Sequence, residues 1–323
     1  MSEAGSPIIL IGGPTASGKS RLALRLAEEF QGTLINADSM QIYRDLSVLT
    51  ARPDAAEMAR VPHRLYGALD AREVCSAGRW RGMAEAEIAA ARTAGRLPIL
   101  VGGTGLYFRA LLKGLAPVPA IPEVIRAEAR ARHRALGGAG FQALLAERDP
   151  ESAARLHPSD RQRLVRAYEV VMATGRSLAE WQREQAAPAR RRATAVLLLP
   201  PREALYAAID RRVEAMMARG ALAEARALLM RGLGDELPAL RALGVAELFR
   251  HLRGEIDLQT AIAAMQQATR RYAKRQMSWF RRQMPPETEL PALTLDAQFS
   301  ESLLPKIFSF IRQFVLTVAP GAV

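Results

Sequence analysis

Residues 13–20 read Gly13-Pro14-Thr15-Ala16-Ser17-Gly18-Lys19-Ser20, directly after the apolar run Pro7–Ile11 and directly before a helical stretch, Arg21–Phe30. Strand, glycine-rich turn and helix, in that order, build a phosphate loop, and each residue type has a physical reason to be there. Gly13 and Gly18 admit backbone angles that a side chain forbids, so successive amide N–H groups converge on phosphate oxygens. The following helix directs its positive end at the same anion. Lys19 adds a mobile point charge, and the Ser20 hydroxyl is a ligand for the Mg2+ that accompanies a pyrophosphate. The stretch specifies a polyphosphate and is silent on what becomes of it.

Outward from this loop, the short apolar runs Thr33–Asn36 and Pro98–Val101 alternate with a helical pattern over Gly78–Ala94. Strands separated by helices imply a parallel sheet with helices on its faces. Leu115–Pro122, which holds three prolines, ends this run, and Glu123–Gln185 reads as helical and arginine-rich. Ala195–Leu199 is a further buried strand, closed by Pro200-Pro201, and long helices follow over Glu203–Ala218, Leu222–Met230 and Leu258–Arg281. A late strand is expected near Leu290–Leu295, and Leu303–Val318, broken by Lys306 and Arg312, reads as an amphipathic helix. The expected fold is therefore α/β: a P-loop NTPase-like core with a parallel sheet flanked by helices, plus an inserted all-helical module. Residues 1–116 form the first part of the core, 117–193 the insert, and 194–323 complete the core with long basic helices and a tail.

A chain of 323 residues has room for one large domain and a smaller one. Its net charge of +12 favours a polyanionic partner. Of 45 basic residues only Lys19, Lys113, Lys274 and Lys306 are lysines, so the phosphate loop keeps a compact ammonium where a planar guanidinium fork fits poorly. Cys75 stands alone, which excludes a disulfide within the chain and disfavours structural zinc. The N-terminus lacks a secretory pattern, and no apolar run approaches the roughly 20 residues that span a bilayer. A cytoplasmic protein with no membrane association, acting as a monomer, is expected.

Asp38-Ser39-Met40-Gln41-Ile42-Tyr43 follows the second strand, where α/β enzymes bind ligands. Asp38 reads equally as a general base, as a holder of Mg2+ through water, or as a helix cap. After the strand at Pro98 come Gly102-Gly103-Thr104-Gly105-Leu106-Tyr107, either a second wall of the site or a plain helix start. Arg126, Arg130, Arg132 and Arg134 lie in the insert, followed by Gln162-Arg163-Leu164-Val165-Arg166, and solvated helix faces are the usual meaning of such runs. From Thr269 to Arg282 there are six basic residues and no acid, among them Arg271, Lys274 and Arg275, with Tyr272, Trp279 and Phe280 interleaved. That mixture suits phosphate contacts and base stacking, while core packing is the alternative for Trp279 and Phe280. Arg211 or Arg212 either reaches a pyrophosphate from the side opposite the loop or pairs with Asp210 or Glu214.

Taken together, Gly13–Ser20, Asp38–Gln41, Pro62-His63, Pro98–Leu112, His157–Arg166 and Thr269–Trp279 resemble the tRNA dimethylallyltransferases (tRNA isopentenyltransferases). The resemblance implies transfer of a dimethylallyl group from dimethylallyl diphosphate to the N6 amine of the adenosine immediately 3′ of the anticodon. By position, Asp38 would accept the proton of that amine, and Thr104 would lie beside the reacting groups. Gly13–Ser20 would hold the diphosphate with Mg2+, and Arg212 would close its far side. Asp38–Gln41, Thr104, Arg126 and Gln162–Arg166 would contact tRNA. The chain departs from the family at Gly244-Val245-Ala246-Glu247, usually Gly-Tyr-Lys-Glu, and at Leu49-Thr50-Ala51-Arg52-Pro53, usually Gly-Thr-Ala-Lys-Pro. Competing readings are a small-molecule kinase on the same loop, a nucleic-acid-binding ATPase, and prenylation of free adenine nucleotides.

Overall fold

The computed structural model describes residues 7–184, 192–284 and 289–316. It divides into two compact units, one formed by Met1–Leu112 with Arg190–Val323 and the other by Lys113–Ala189. The first unit is built on β1 (Ile8–Gly12), β2 (Gly32–Asn36), β3 (His63–Arg64), β4 (Leu97–Gly102), β5 (Ala193–Leu198) and β6 (Ala292–Leu295). These pair in the order β3-β2-β4-β1-β5-β6, every pairing parallel. The apolar runs form strands because helices cover both faces, so each successive side chain is buried on one side or the other. Ile8, Leu10, Leu100, Ala195 and Leu197 pack on one face, and Ile9, Ile11, Ile99, Val101, Val196 and Leu198 on the opposite one.

In the first unit, α1 (Lys19–Glu29), α2 (Ala55–Arg60), α3 (Ala77–Thr93) and α4 (Gly105–Lys113) precede the second unit. That unit holds α5 (Glu123–Ala146), α6 (Pro150–Arg155), α7 (Arg161–Thr174) and α8 (Leu178–Arg183) around Phe141, Leu145, Leu164 and Tyr168. The chain returns to the first unit with α9 (Arg202–Ala218), α10 (Ala221–Met230), α11 (Val245–Leu252), α12 (Leu258–Gln283) and α13 (Leu304–Leu316). Trp80 and Ile88 of α3, Phe108 of α4 and Phe280 of α12 cover one sheet face; Leu22 and Leu26 of α1 cover the other.

The strands begin and end within one or two residues of the runs read from sequence, while β3, α2 and α11 were not legible there. β3 is only two residues long, and α2 exists because Asp54 and Glu57 form a reciprocal capping box at its start. The C-terminal amphipathic stretch is α13, which buries Leu304, Ile307 and Ile311 on the same face as α1. The expected ends of that stretch at Val318 and of the helical stretch at Gln185 lie outside the described residues.

Candidate active site

β1, β2, β4 and β5 stop at Gly12, Asn36, Gly102 and Leu198, and the register sets Gly12 opposite both Gly102 and Leu197. The turns that follow, at Gly13–Ser20, Asp38, Gly103-Thr104 and Pro200-Pro201, therefore leave the sheet along one edge. Carboxyl ends of parallel strands are where α/β folds place ligands.

In the loop, Gly13 and Gly18 take φ values of 154° and 88°, backbone conformations that a side chain rarely adopts. Ala16 also sits at positive φ, 63°, a strained position for a residue with a Cβ. The Ser17 hydroxyl is fully buried yet lacks a hydrogen-bond partner among the described residues, as expected of a group awaiting an anion. Lys19 begins α1, is 9% exposed, and donates from Nζ to the Pro14 carbonyl at 3.3 Å. Burial pulls its pKa down to about 8; Asp38 opposes that shift and Arg212 adds to it. Ser20 follows, half-buried, in the first turn of α1.

The loop is held from two sides. Gln276 of α12 accepts the Thr15 N–H at 2.8 Å and donates to the Gly103 carbonyl at 2.9 Å, joining two of the strand-end turns. The Thr15 amide thus serves the scaffold. Outside, Gln298 donates to the Ala16 carbonyl at 3.0 Å, and the Phe299 N–H to the Ser17 carbonyl at 3.1 Å.

Asp38 is positioned by Asn36, whose amide oxygen accepts the Asp38 N–H at 2.8 Å and whose Nδ2 donates to the Asp38 carbonyl at 2.9 Å. Trp80 Nε1 donates to the Asn36 carbonyl at 2.8 Å. No helix follows Asp38. Its Oδ1 accepts the Met40 and Gln41 N–H groups at 2.9 and 3.4 Å, closing a turn and not a cap, and Oδ2 takes no part in these bonds. Thr104 lies alongside: its Oγ1 accepts the Ser39 N–H at 3.0 Å and donates to Ser39 Oγ at 3.3 Å. Tyr272 lies near Thr104, and burial, then the charge of Asp38, raises the pKa of its phenol. Tyr66 and Tyr107 are raised by burial with a contribution from Asp38 as well. Arg212 donates to the Thr50 carbonyl at 3.0 Å; burial lowers its pKa and Asp38 counters the shift. One carboxylate thus shares its electrostatic surroundings with the loop lysine, an arginine from α9 and three phenols.

The neighbouring Arg211 is exposed, and Asp210 pairs with Arg270 at 2.6 Å, while Arg212 turns to the Thr50 carbonyl. Core packing decides two of the aromatics of α12. Phe280 is 2% exposed, and Trp279 lies so close to Gly105 that an added Cβ would meet it at 2.1 Å. Base stacking is therefore closed to Phe280, whereas Trp279 stays half-buried. Met40 packs on the core, and the Gln41 amide donates to the Thr50 and Ala51 carbonyls at 3.0 and 3.1 Å. Arg52, in the departing segment, donates to the Tyr43 carbonyl at 3.2 Å, and Val245 is buried. Arg271, Lys274 and Arg275 are exposed on α12, and Arg202, Tyr206, Lys274, Ser278 and Arg281 line a groove of about 220 Å³ between α9 and α12.

In the helical unit, Gln162 and Arg163 are exposed, Arg126 is half-buried, and Arg166 pairs with Glu169 at 3.6 Å. Leu164 and Val165, expected to touch tRNA with their neighbours, are 0% and 9% exposed in the core of this unit. They correct that expectation, because they lie on the face of α7 that packs into the core with Phe141 and Leu145. Sequence reading also missed Gln276 and Asn36. A signal for Gln276 existed: α12 buries Ala261, Met265, Thr269, Ala273, Gln276 and Phe280 at spacings of one helical turn, and Gln276 is a large amide in that stripe.

An α/β sheet that sends its central strand into a glycine-rich loop and helix, with a carboxylate and an arginine gathered at the same edge, has the architecture of the P-loop class. The IPP transferase family model matches residues 41–283. A tRNA dimethylallyltransferase of Rhodospirillum rubrum is 54% identical over 320 residues, covering 98% of both chains. One of Rhodospirillum centenum is 58% identical over 280 residues, 86% of this chain and 89% of that protein. Among solved structures, the full-length tRNA isopentenylpyrophosphate transferase of Bacillus halodurans aligns with a TM-score of 0.69 at 32% identity, covering 97% of this chain and 98% of that one. A eukaryotic dimethylallyltransferase described as acting on tRNA aligns with a TM-score of 0.83 at 26% identity, over 98% of this chain and 81% of that one. The chain belongs to the IPP transferase family, the tRNA dimethylallyltransferases.

Proposed function

We propose that this protein transfers the dimethylallyl group of dimethylallyl diphosphate to the N6 amine of the adenosine immediately 3′ of a tRNA anticodon, releasing diphosphate. The observation that carries the reading is the meeting of Asp38 with Lys19 and Arg212 at one edge of the sheet. Allylic C–O cleavage puts charge on the leaving diphosphate, and the loop amides, Lys19 and Arg212 stabilise it in a site largely shielded from water. Asp38, with Oδ2 outside its own turn, takes the proton of the weakly nucleophilic amine as the C–N bond forms. Thr104 and Tyr272 hold the edge of the pocket beside it. The adenosine leaves its stack to enter, as any base must that reacts at a buried centre.

The Ser20 hydroxyl is a hard oxygen donor, and the buried Ser17 hydroxyl has no partner among the described residues; together they fit a diphosphate that carries a hard cation. Mg2+ would be held by Ser20 and the diphosphate oxygens, and would neutralise part of the leaving group's charge. Ser39, Met40 and Gln41 contact tRNA, as do Arg271, Lys274 and Arg275 and, in the helical unit, Arg126, Gln162, Arg163 and Arg166. The enzyme works as a monomer in the cytoplasm.

The test is incubation with unmodified tRNA, dimethylallyl diphosphate and Mg2+, without ATP, followed by mass spectrometry of the nucleosides. N6-(dimethylallyl)adenosine is expected with tRNA and not with AMP as acceptor. Asp38→Asn should lower the rate about 100-fold or more while tRNA affinity stays within about twofold. A requirement for ATP, preference for AMP, or an Asp38→Asn enzyme at full rate would overturn the reading.

A further inference from the structure

A carboxylate to which no role has so far been given holds one wall of the site. Glu224, in the first turn of α10, accepts three consecutive backbone N–H groups: Ser47 at 2.7 Å and Val48 at 2.8 Å on Oε2, and Leu49 at 2.9 Å on Oε1. Consecutive amides that converge in this way form a concavity for an anion, and here the protein supplies that anion itself. The same loop carries Leu49 where the family usually has glycine. The Leu49 side chain is 4% exposed and lies against Gly244, so the loop is fastened twice, by charge and by an apolar plug.

The next residue is the point of the arrangement. The Thr50 carbonyl accepts Nη2 of Arg212 at 3.0 Å and Nε2 of Gln41 at 3.0 Å. Its own hydroxyl donates to the Leu46 carbonyl at 2.7 Å, which closes the turn. Arg212 has Asp38 and Lys19 as charged neighbours, and that carbonyl is the acceptor that orients its guanidinium. The direction of Arg212 therefore depends on where the 47–50 segment sits, and that depends on Glu224.

We propose that Glu224 is a positioning residue for the transfer step, fixing Arg212 through the Ser47–Thr50 loop in the orientation from which it meets the leaving diphosphate. This rests on the role given to Arg212 above. A glutamine at 224 keeps the size of the side chain but replaces one acceptor oxygen by an NH2 group, which cannot accept an amide N–H. The loop then loses at least one of its three bonds, and Arg212 loses its fixed anchor.

The test is a cycle of Glu224→Gln, Arg212→Ala and the double variant, with thermal unfolding recorded for each and rates measured over a range of each substrate, dimethylallyl diphosphate and tRNA, with the other saturating. Glu224→Gln is expected to lower kcat/KM for the diphosphate tenfold or more, with KM for tRNA within twofold. In the Arg212→Ala background the same change should cost less than twofold, since the residue through which it acts is already gone. If the glutamine variant does not fold, Glu224→Asp, which keeps the charge on a shorter arm, is expected to give the same pattern. A folded Glu224 variant with unchanged kcat/KM, or a full tenfold loss on top of Arg212→Ala, would overturn the proposal and leave Arg212 standing. Full activity of Arg212→Ala would instead remove the role of Arg212, and this proposal with it.

Discussion

At the scale of single residues, the most consequential arrangement is the burial of an ammonium beside a carboxylate and a guanidinium. Lys19 must be protonated to hold a diphosphate, and burial has brought its pKa from 10.5 to about 8. In the free enzyme, kcat/KM for dimethylallyl diphosphate is expected to fall as pH rises through about 8. Stability runs the other way. Between pH 8 and 10.5 the unfolded chain keeps a proton on Lys19 that the folded chain has released. By linkage, the contribution of Lys19 to folding stability then grows with pH across that window, by about 3 kcal/mol in all. A pH–rate profile set beside unfolding measurements over the same range checks this: lost activity with undiminished stability is the expected pattern, and parallel loss of both would contradict it. None of this was visible in the motif alone, because the motif names Lys19 without saying how deep it lies or what faces it.

At the scale of elements, the strands were legible because each is apolar on both faces and short, and the turns after β1 and β4 were legible from their glycines. The turn after β2 was not: Asp38-Ser39 has the composition of a helix cap, and only the absence of a helix over the following residues shows it to be a side-chain-closed turn. The bracing of the phosphate loop by α12 was equally out of reach, since Gln276 lies 261 residues from Thr15 and 173 from Gly103. Gln276→Leu keeps the volume and leaves the Thr15 N–H and Gly103 carbonyl without partners, each at about 1–3 kcal/mol. A fall in thermal stability together with a raised KM for the diphosphate is expected. Stability equal to the parent protein would mean that Gln276 does not brace the loop.

At the scale of the whole molecule, the excess of positive charge is the feature that matters for a nucleic-acid substrate. With a net charge of +12 and exposed Arg271, Lys274 and Arg275 on α12, phosphate contacts should dominate tRNA affinity. Binding is then expected to weaken linearly on a plot of log K against log salt concentration, with a slope of roughly −0.7 to −0.9 per phosphate neutralised. A titration of affinity against salt measures it, and a flat line would rule out the basic faces as the docking surface. The tail, for which the sequence suggested only an amphipathic helix, proves to complete the core: α13 and α1 together close one face of the sheet.

By itself the sequence determined the parallel α/β core, the phosphate loop at its central strand, the helical segment within it and the family, because those are written in local order: period, glycine placement and contiguous motifs. The tertiary structure alone decided that Arg212 is anchored on the Thr50 carbonyl, that Gln276 joins two turns, that Glu224 fills a ring of loop amides, and that Leu164 and Val165 are core. These are contacts between residues far apart along the chain, or choices of helix face made by what packs against it, and neither leaves a period or a spacing for a linear reading to find.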